Sequence, residues 1–305
     1  MAITRTQSNE TTKTGIAVPT RFVAGLLLVG ISWWAAWFGP EVLRSHSFFP
    51  LWLGYILTVD AMVAMRSGTS IYQRSRRRFV LLFACSAPLW WGFELANLRI
   101  DNWHYSLPHR YTWLQYHSEA TIAFSTVLPA ILETAELVKT SERVRSLRTF
   151  KSTFTGSRAI PICIGLGLMM IASAVLIPKY CFPFLWLGPF FILDPINAFR
   201  GQPSLLSQAR QGNWRTIVSL AVAGLICGFF WEMWNSRAMP KWTYSVPFVG
   251  RPKLFEMPVL GYGGYIPFAF ELFAAYHFLA SLAPKWLSGT LLGERYGTQL
   301  PGEHE

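Results

Sequence analysis

Apolar runs long enough to cross a membrane recur from one end of this chain to the other, and nothing constrains its fold more. A helix needs about 20 apolar residues to span the hydrocarbon core of a bilayer, at about 1.5 Å per residue. Eight such runs can be placed, at 22–39, 48–65, 79–97, 119–138, 160–177, 183–199, 214–235 and 257–281. Backbone polar groups in lipid must satisfy one another, so each run is predicted as a helix. The chain is only 14% charged, whereas soluble domains carry about 25%, so a soluble fold is excluded. The expected fold class is all-α: a polytopic helical membrane protein. The first run follows a polar stretch and lacks an Ala-x-Ala site, so it reads as a span and not as a cleaved signal.

The net charge of +11 would point to nucleic acid in a soluble protein. Here most lysines and arginines fall in alternate loops: the N-terminal tail, 66–78, 139–159, 200–213 and the C-terminal tail. That asymmetry places both termini in the cytoplasm. The basic loops then lie beside anionic headgroups, so membrane lipids are the expected partners and nucleic acid is not. Cys85, Cys163, Cys181 and Cys227 are scattered, with no CxxC, and read as packing residues.

The chain is also written twice. Residues 88–108, PLWWGFELANLRIDNWHYSLP, correspond to 227–247, CGFFWEMWNSRAMPKWTYSVP. Glu94 and Asn97 match Glu232 and Asn235. The following Trp103, Tyr105, Ser106 and Pro108 match Trp242, Tyr244, Ser245 and Pro247. FPLWLGYILTVDAMVAMRSG at 49–68 matches FPFLWLGPFFILDPINAFRG at 182–201, pairing Asp60 with Asp194. STVLPAILE at 125–133 matches GGYIPFAFE at 263–271, pairing Glu133 with Glu271; Glu119 and Glu256 pair at the head of the same spans. Each repeat holds four spans, an even number, so the halves share one orientation about an axis along the membrane normal. The expected organisation is a tail at 1–20, a membrane repeat at 21–138, a basic linker at 139–158, a second repeat at 159–282 and a tail at 283–305.

Half of the sixteen acidic residues belong to these pairs, and all eight lie in or at the edge of a span. A carboxylate in lipid costs about 2.5 kcal/mol or more, so such residues face the bundle interior or a partner. Helix rise sorts them into two layers. Glu94, Asn97, Glu119 and their counterparts lie near the outer surface. Glu133 is about 21 Å deeper than Glu119, and Asp60 is about 18 Å into its own span. The outer set can tie down the Trp-x-Tyr loop by accepting indole and hydroxyl hydrogen bonds. Asp60 can pair with Arg66 or cap a neighbouring helix. Glu133 can serve backbone freed by Pro129. His104, His109 and His117 share a loop with Glu119, but the second repeat has no such histidines, so they read as surface residues. GYGGY at 261–265 reads as a close helix contact or local unwinding. No phosphate-binding glycine loop, Ser-His-Asp order or HExxH occurs, so no cofactor or metal is expected.

The block KWTYSVPFVGRPKLFEMPVLGYGGYIPFAFELF, with its Trp-x-Tyr, loop, Gly, Pro and acid before Phe, resembles the tandem-repeat membrane domains of the lycopene cyclase type. The motif of those domains has twin glutamates after the proline; here Glu133 and Glu271 stand alone, four residues beyond Pro129 and Pro267. The pattern is also similar to that of polytopic bacterial membrane proteins, which implies a bacterial inner membrane. The resemblance implies an isoprenoid lipid as substrate. Glu133 and Glu271 would protonate an alkene, with Asp60 and Asp194 as partners. Aromatic faces would hold the carbocation. Glu94, Asn97, Trp103, Tyr105, Glu232, Asn235, Trp242 and Tyr244 would shape the substrate rim. Two other classes stay open: a lipid or small-solute transporter using the same acids for protons, and a non-catalytic membrane scaffold.

Overall fold

The computed structural model describes residues 19–107, 111–147, 150–151 and 158–284. Eight helices in it are long and apolar enough to cross a membrane: α1 (Thr20–Phe38), α2 (Phe48–Ser67), α3 (Arg76–Ile100), α4 (Trp113–Lys139), α5 (Ala159–Leu176), α6 (Pro178–Phe199), α7 (Arg215–Asn235) and α8 (Val259–Leu282). The chain is a multi-pass helical membrane protein. Most of the two tails, part of the linker, Pro108 and His109 lie outside the described residues.

Every predicted run is a helix, and the differences lie at polar ends. The third span starts inside the arginine run because Ser75 caps it, accepting from the Arg78 amide. The fourth starts at Trp113 and not at 119 because Thr112 accepts from the Gln115 amide. Hydropathy is blind to such caps. Three spans are interrupted. α4 comprises Trp113–Phe124 and Val127–Lys139, which meet just ahead of Pro129, a residue with no N–H to donate. α6 passes through a 3₁₀ segment at Phe182–Trp186. α8 opens with another at Val259–Gly264, which contains most of the GYGGY stretch.

Each half begins with a tightly crossed helix pair. A Cβ on Gly25 of α1 would lie 2.9 Å from the Gly54 carbonyl of α2. A Cβ on Gly167 of α5 would lie 2.7 Å from the Gly188 carbonyl of α6. Without a hydrophobic drive between helices in lipid, such backbone approach is a main source of cohesion.

Besides a short strand pair at Lys253–Leu254 and Met257–Pro258, a departure from an all-helical reading comes just after α3 and α7. Trp103–Ser106 (β1) and Lys241–Tyr244 (β2) are strands, paired antiparallel. Trp, Tyr and Thr suit a pleated ribbon, but four residues are too few for a hydropathy pattern to show. The register is Trp103 with Tyr244, His104 with Thr243 and Tyr105 with Trp242. It is unchanged when the two motifs are exchanged, which is the pairing of a twofold axis through His104 and Thr243. The ribbon brings the C-terminal ends of α3 and α7 to one end of the bundle, so the halves run in the same direction. Beneath it the halves interlock through aromatic rings. Trp52 of α2 sits 5.0 Å from Trp231 of α7, and Trp186 of α6 sits 5.2 Å from Phe93 of α3.

Candidate functional site

The ribbon is fastened by two asparagines. Asn97 Nδ2 donates to the Trp103 carbonyl at 2.8 Å, while its Oδ1 accepts from the Asn102 amide at 2.9 Å. Asn235 Nδ2 donates to the Trp242 carbonyl at 2.7 Å, and its Oδ1 accepts from the Trp242 amide at 2.8 Å. Each side-chain amide thus replaces the missing strand neighbour, and each tryptophan is held by its own backbone. Two residues on, the tyrosine falls on the same face of the strand. Trp-x-Tyr is therefore the spacing that aims an indole N–H and a phenol O–H at one acceptor.

That acceptor is a glutamate one turn before the asparagine. Glu94 Oε1 accepts from Trp103 Nε1 at 3.1 Å, Tyr105 Oη at 2.6 Å and Trp90 Nε1 at 2.8 Å. Glu232 Oε1 accepts from Tyr244 Oη at 2.6 Å and Tyr265 Oη at 2.6 Å, and shares the Trp242 indole N–H, which lies 3.4 Å from it and 2.8 Å from Tyr244 Oη. The aromatic groups must be the donors, because the carboxyl oxygen they share offers only lone pairs to them. Burial first, then the nearby glutamate charge, holds the Tyr105 and Tyr244 phenols well above their ordinary pKa. Both remain donors at neutral pH.

All six of these aromatic donors line one cavity of about 480 Å³ between the halves. Trp186, Trp231 and Phe268 extend its aromatic wall toward the core, and Leu107, Val246 and Val249 border it on the loop side. No lysine or arginine is among the described residues that line it. Among the described residues its one lining carboxylate is Glu119, whose Oε1 is 3.4 Å from Nε2 of His46, another wall residue. His46 Nδ1 lies 2.8 Å from the Val42 carbonyl. With that nitrogen donating, Nε2 is the ring atom that faces the Glu119 carboxyl. The volume falls within the range of small-molecule sites, which are mostly apolar with a few placed polar groups.

The deeper acids lie elsewhere. Asp60 is fully buried; it accepts from Ser70 Oγ at 2.9 Å and the Tyr72 amide at 3.0 Å, and pairs with Arg21, not Arg66, at 3.0 Å. Asp194 accepts from the Leu205 and Leu206 amides at 2.7 and 2.8 Å, capping the short helix Leu205–Gln211. Both aspartates thus tie a connecting helix to a span. Glu133 is fully buried and neither oxygen has a hydrogen-bond partner. Glu271 is 3% exposed and its Oε2 has none. Neither lines the aromatic cavity. The structure therefore brings together the outer eight of the sequence-derived residues and leaves the inner four outside the cavity.

Trp90, Tyr265 and His46 were not singled out from the sequence. Trp90 had a signal, four residues before Glu94 on one helix face. Tyr265 and His46 reach the site only through tertiary packing. Of the loop histidines, His104 bonds Ser245 Oγ at 3.1 Å and His117 stacks 4.2 Å from Trp113. Among the described residues no three His, Cys, Asp or Glu converge as metal ligands. Comparison with family profiles, characterised proteins and solved structures finds no significant match.

Proposed function

We propose that this is a tandem-duplicated enzyme of a bacterial inner membrane, with both termini cytoplasmic, acting on an unsaturated isoprenoid lipid by acid-catalysed isomerisation or cyclisation. The observation that carries the reading is the cavity wall: six aromatic rings, each hydrogen-bonded from behind to Glu94 or Glu232. Such a wall accepts a hydrocarbon chain and favours positive charge developing on it, through the ring faces. The resemblance to lycopene cyclase-type domains points the same way.

Glu119 is the acid placed at the wall, so it takes the donor role expected of Glu133 and Glu271. Its O–H proton passes to an alkene carbon; a C–H bond forms, the π bond breaks and a carbocation remains. Attack by a second alkene or migration of the charge follows. Loss of a neighbouring proton to the carboxylate regenerates Glu119, and no redox partner is consumed. His46, 61% exposed at its side chain, exchanges protons between this acid and water. A positioned general acid contributes about 10²–10⁴ in rate. Lipid mass spectrometry of cells grown in heavy water, with wild type against Glu119→Gln at equal protein level, tests this. A deuterium-bearing isomer of a polyprenyl or polyene lipid is expected with wild type alone. Identical profiles would reject the reading.

A second reading, proton-coupled transport, is favoured by Glu133, a fully buried carboxyl with no hydrogen-bond partner. Buried membrane acids of this kind mark proton paths. Proteoliposome flux that answers to a pH gradient and vanishes in Glu133→Gln would support it.

A further inference from the structure

A lipid cavity needs only apolar walls, yet this one is built with two carboxylates immediately behind them. Glu94 and Glu232 each accept from three wall rings, and neither forms an ion pair among the described residues. Glu232 is fully buried and its second oxygen has no partner. Two carboxyl groups therefore stand behind one apolar chamber whose described lining includes no lysine or arginine. An indole or phenol that donates to a carboxylate gains electron density, so its ring face becomes a better partner for a cation. The carboxylate oxygens themselves are screened from the cavity by the rings. A strongly hydrated cation, such as a primary ammonium or a metal ion, would lose most of its water and meet one lining carboxylate, Glu119, in exchange. A bulky alkylated cation holds its water weakly and loses little on entering.

On the reading of the cavity as a lipid site, the geometry assigns it a narrower ligand class: amphiphiles with a soft, alkylated positive centre. Two sources share this chemistry. One is a trialkylammonium headgroup; the other is a tertiary carbocation formed on the hydrocarbon during reaction.

The test uses the full-length chain in nanodiscs, with binding followed by intrinsic tryptophan fluorescence and native mass spectrometry. The probes are dodecyltrimethylammonium, dodecylammonium, dodecanol and dodecylphosphocholine. Dodecyltrimethylammonium is expected to bind at least about tenfold more tightly than dodecanol or dodecylammonium, as several cation–π contacts predict. The preference should shrink about tenfold in Glu94→Gln, the half-buried member of the pair. The wild-type ranking stands without any variant, so a variant that fails to fold does not remove the test. Equal binding of dodecanol would overturn the cation assignment while leaving the lipid cavity intact. Equal binding of dodecylammonium would overturn its softness. No binding of any probe would overturn both this inference and the cavity reading. Dodecylphosphocholine matching dodecyltrimethylammonium would identify a headgroup as the source. Its exclusion would identify a cation formed on hydrocarbon.

Discussion

Glu94 and Glu232 hold equivalent places in the two halves, and each accepts three aromatic hydrogen bonds, yet the third donor comes from different places. In the first half it is Trp90, on the same helix as Glu94. The matching position in the second half, 138 residues on by the Glu94 to Glu232 spacing, is Gly228. There the donor is Tyr265 of α8, whose counterpart in the first half is the apolar Val127. The exchange is coupled by volume: a Cβ on Gly228 would lie 2.3 Å from the Tyr265 ring. One half fills the space with a tryptophan from α3, and the other clears it for a tyrosine from α8. What the comparison teaches is that the number of donors on the carboxylate is kept while the route to it is free. The deeper layer lacks that constancy. Arg21 and Arg74 pair with Asp60 and Glu136 in the first half. The positions matching Arg74 and Glu136 are Gln208 and Ala274, and among the described residues Asp194 is held by two backbone amides.

The largest expected effect separates the two glutamates. Glu232→Leu strands the Tyr244 and Tyr265 hydroxyls, at about 1–3 kcal/mol each. Thermal unfolding in detergent should therefore drop further than for Glu94→Leu, whose glutamate is only half-buried. Equal drops would break the comparison. Next, Gly228→Ala should push Tyr265 off Glu232 and cost about 1–3 kcal/mol by overpacking. Gly92→Ala, with nothing within 4 Å of its added Cβ, should be neutral or stabilising by up to about 1 kcal/mol. Asp60→Asn should be costlier than Asp194→Asn, because it also leaves Arg21 without its ion pair; about 3 kcal/mol against about 1 is expected.

The smallest effect concerns pH. Tyr105 and Tyr244 are protonated more firmly in the folded chain than in an unfolded one, where the value is near 10.0. Their contribution to stability is complete below that value. It is lost as pH rises from there toward the raised folded value. Unfolding temperature should hold flat for these groups between pH 7 and about 9 and fall beyond. In Tyr105→Phe, Tyr244→Phe the fall should be shallower.

The eight helices were legible because lipid leaves the backbone one solution per span, and an apolar run of the right length advertises it. The Glu-Asn and Trp-x-Tyr pairs were legible through recurrence, and their spacing carries physical sense: one helical turn, then two strand positions. The ribbon was not legible, because pairing partners such as His104 and Thr243, 139 residues apart, leave no local pattern. Trp90 and Tyr265 escaped for a related reason. A comparison that seeks identical residues in both halves misses a site where one half substitutes Trp with Val for Gly with Tyr. Depth along the helices ranked Glu133 and Glu271 as the acids to watch, but depth does not say which face of a helix meets a cavity.

The central claim is that two carboxylates hold an aromatic chamber open for a lipid between the halves. Native mass spectrometry of the detergent-purified chain, wild type against the folded Glu94→Gln, Glu232→Gln double variant, tests it most directly. A co-purified unsaturated lipid is expected on the wild type and is expected to be lost from the variant. A wild type that carries no lipid, or a variant that retains it undiminished, would contradict it.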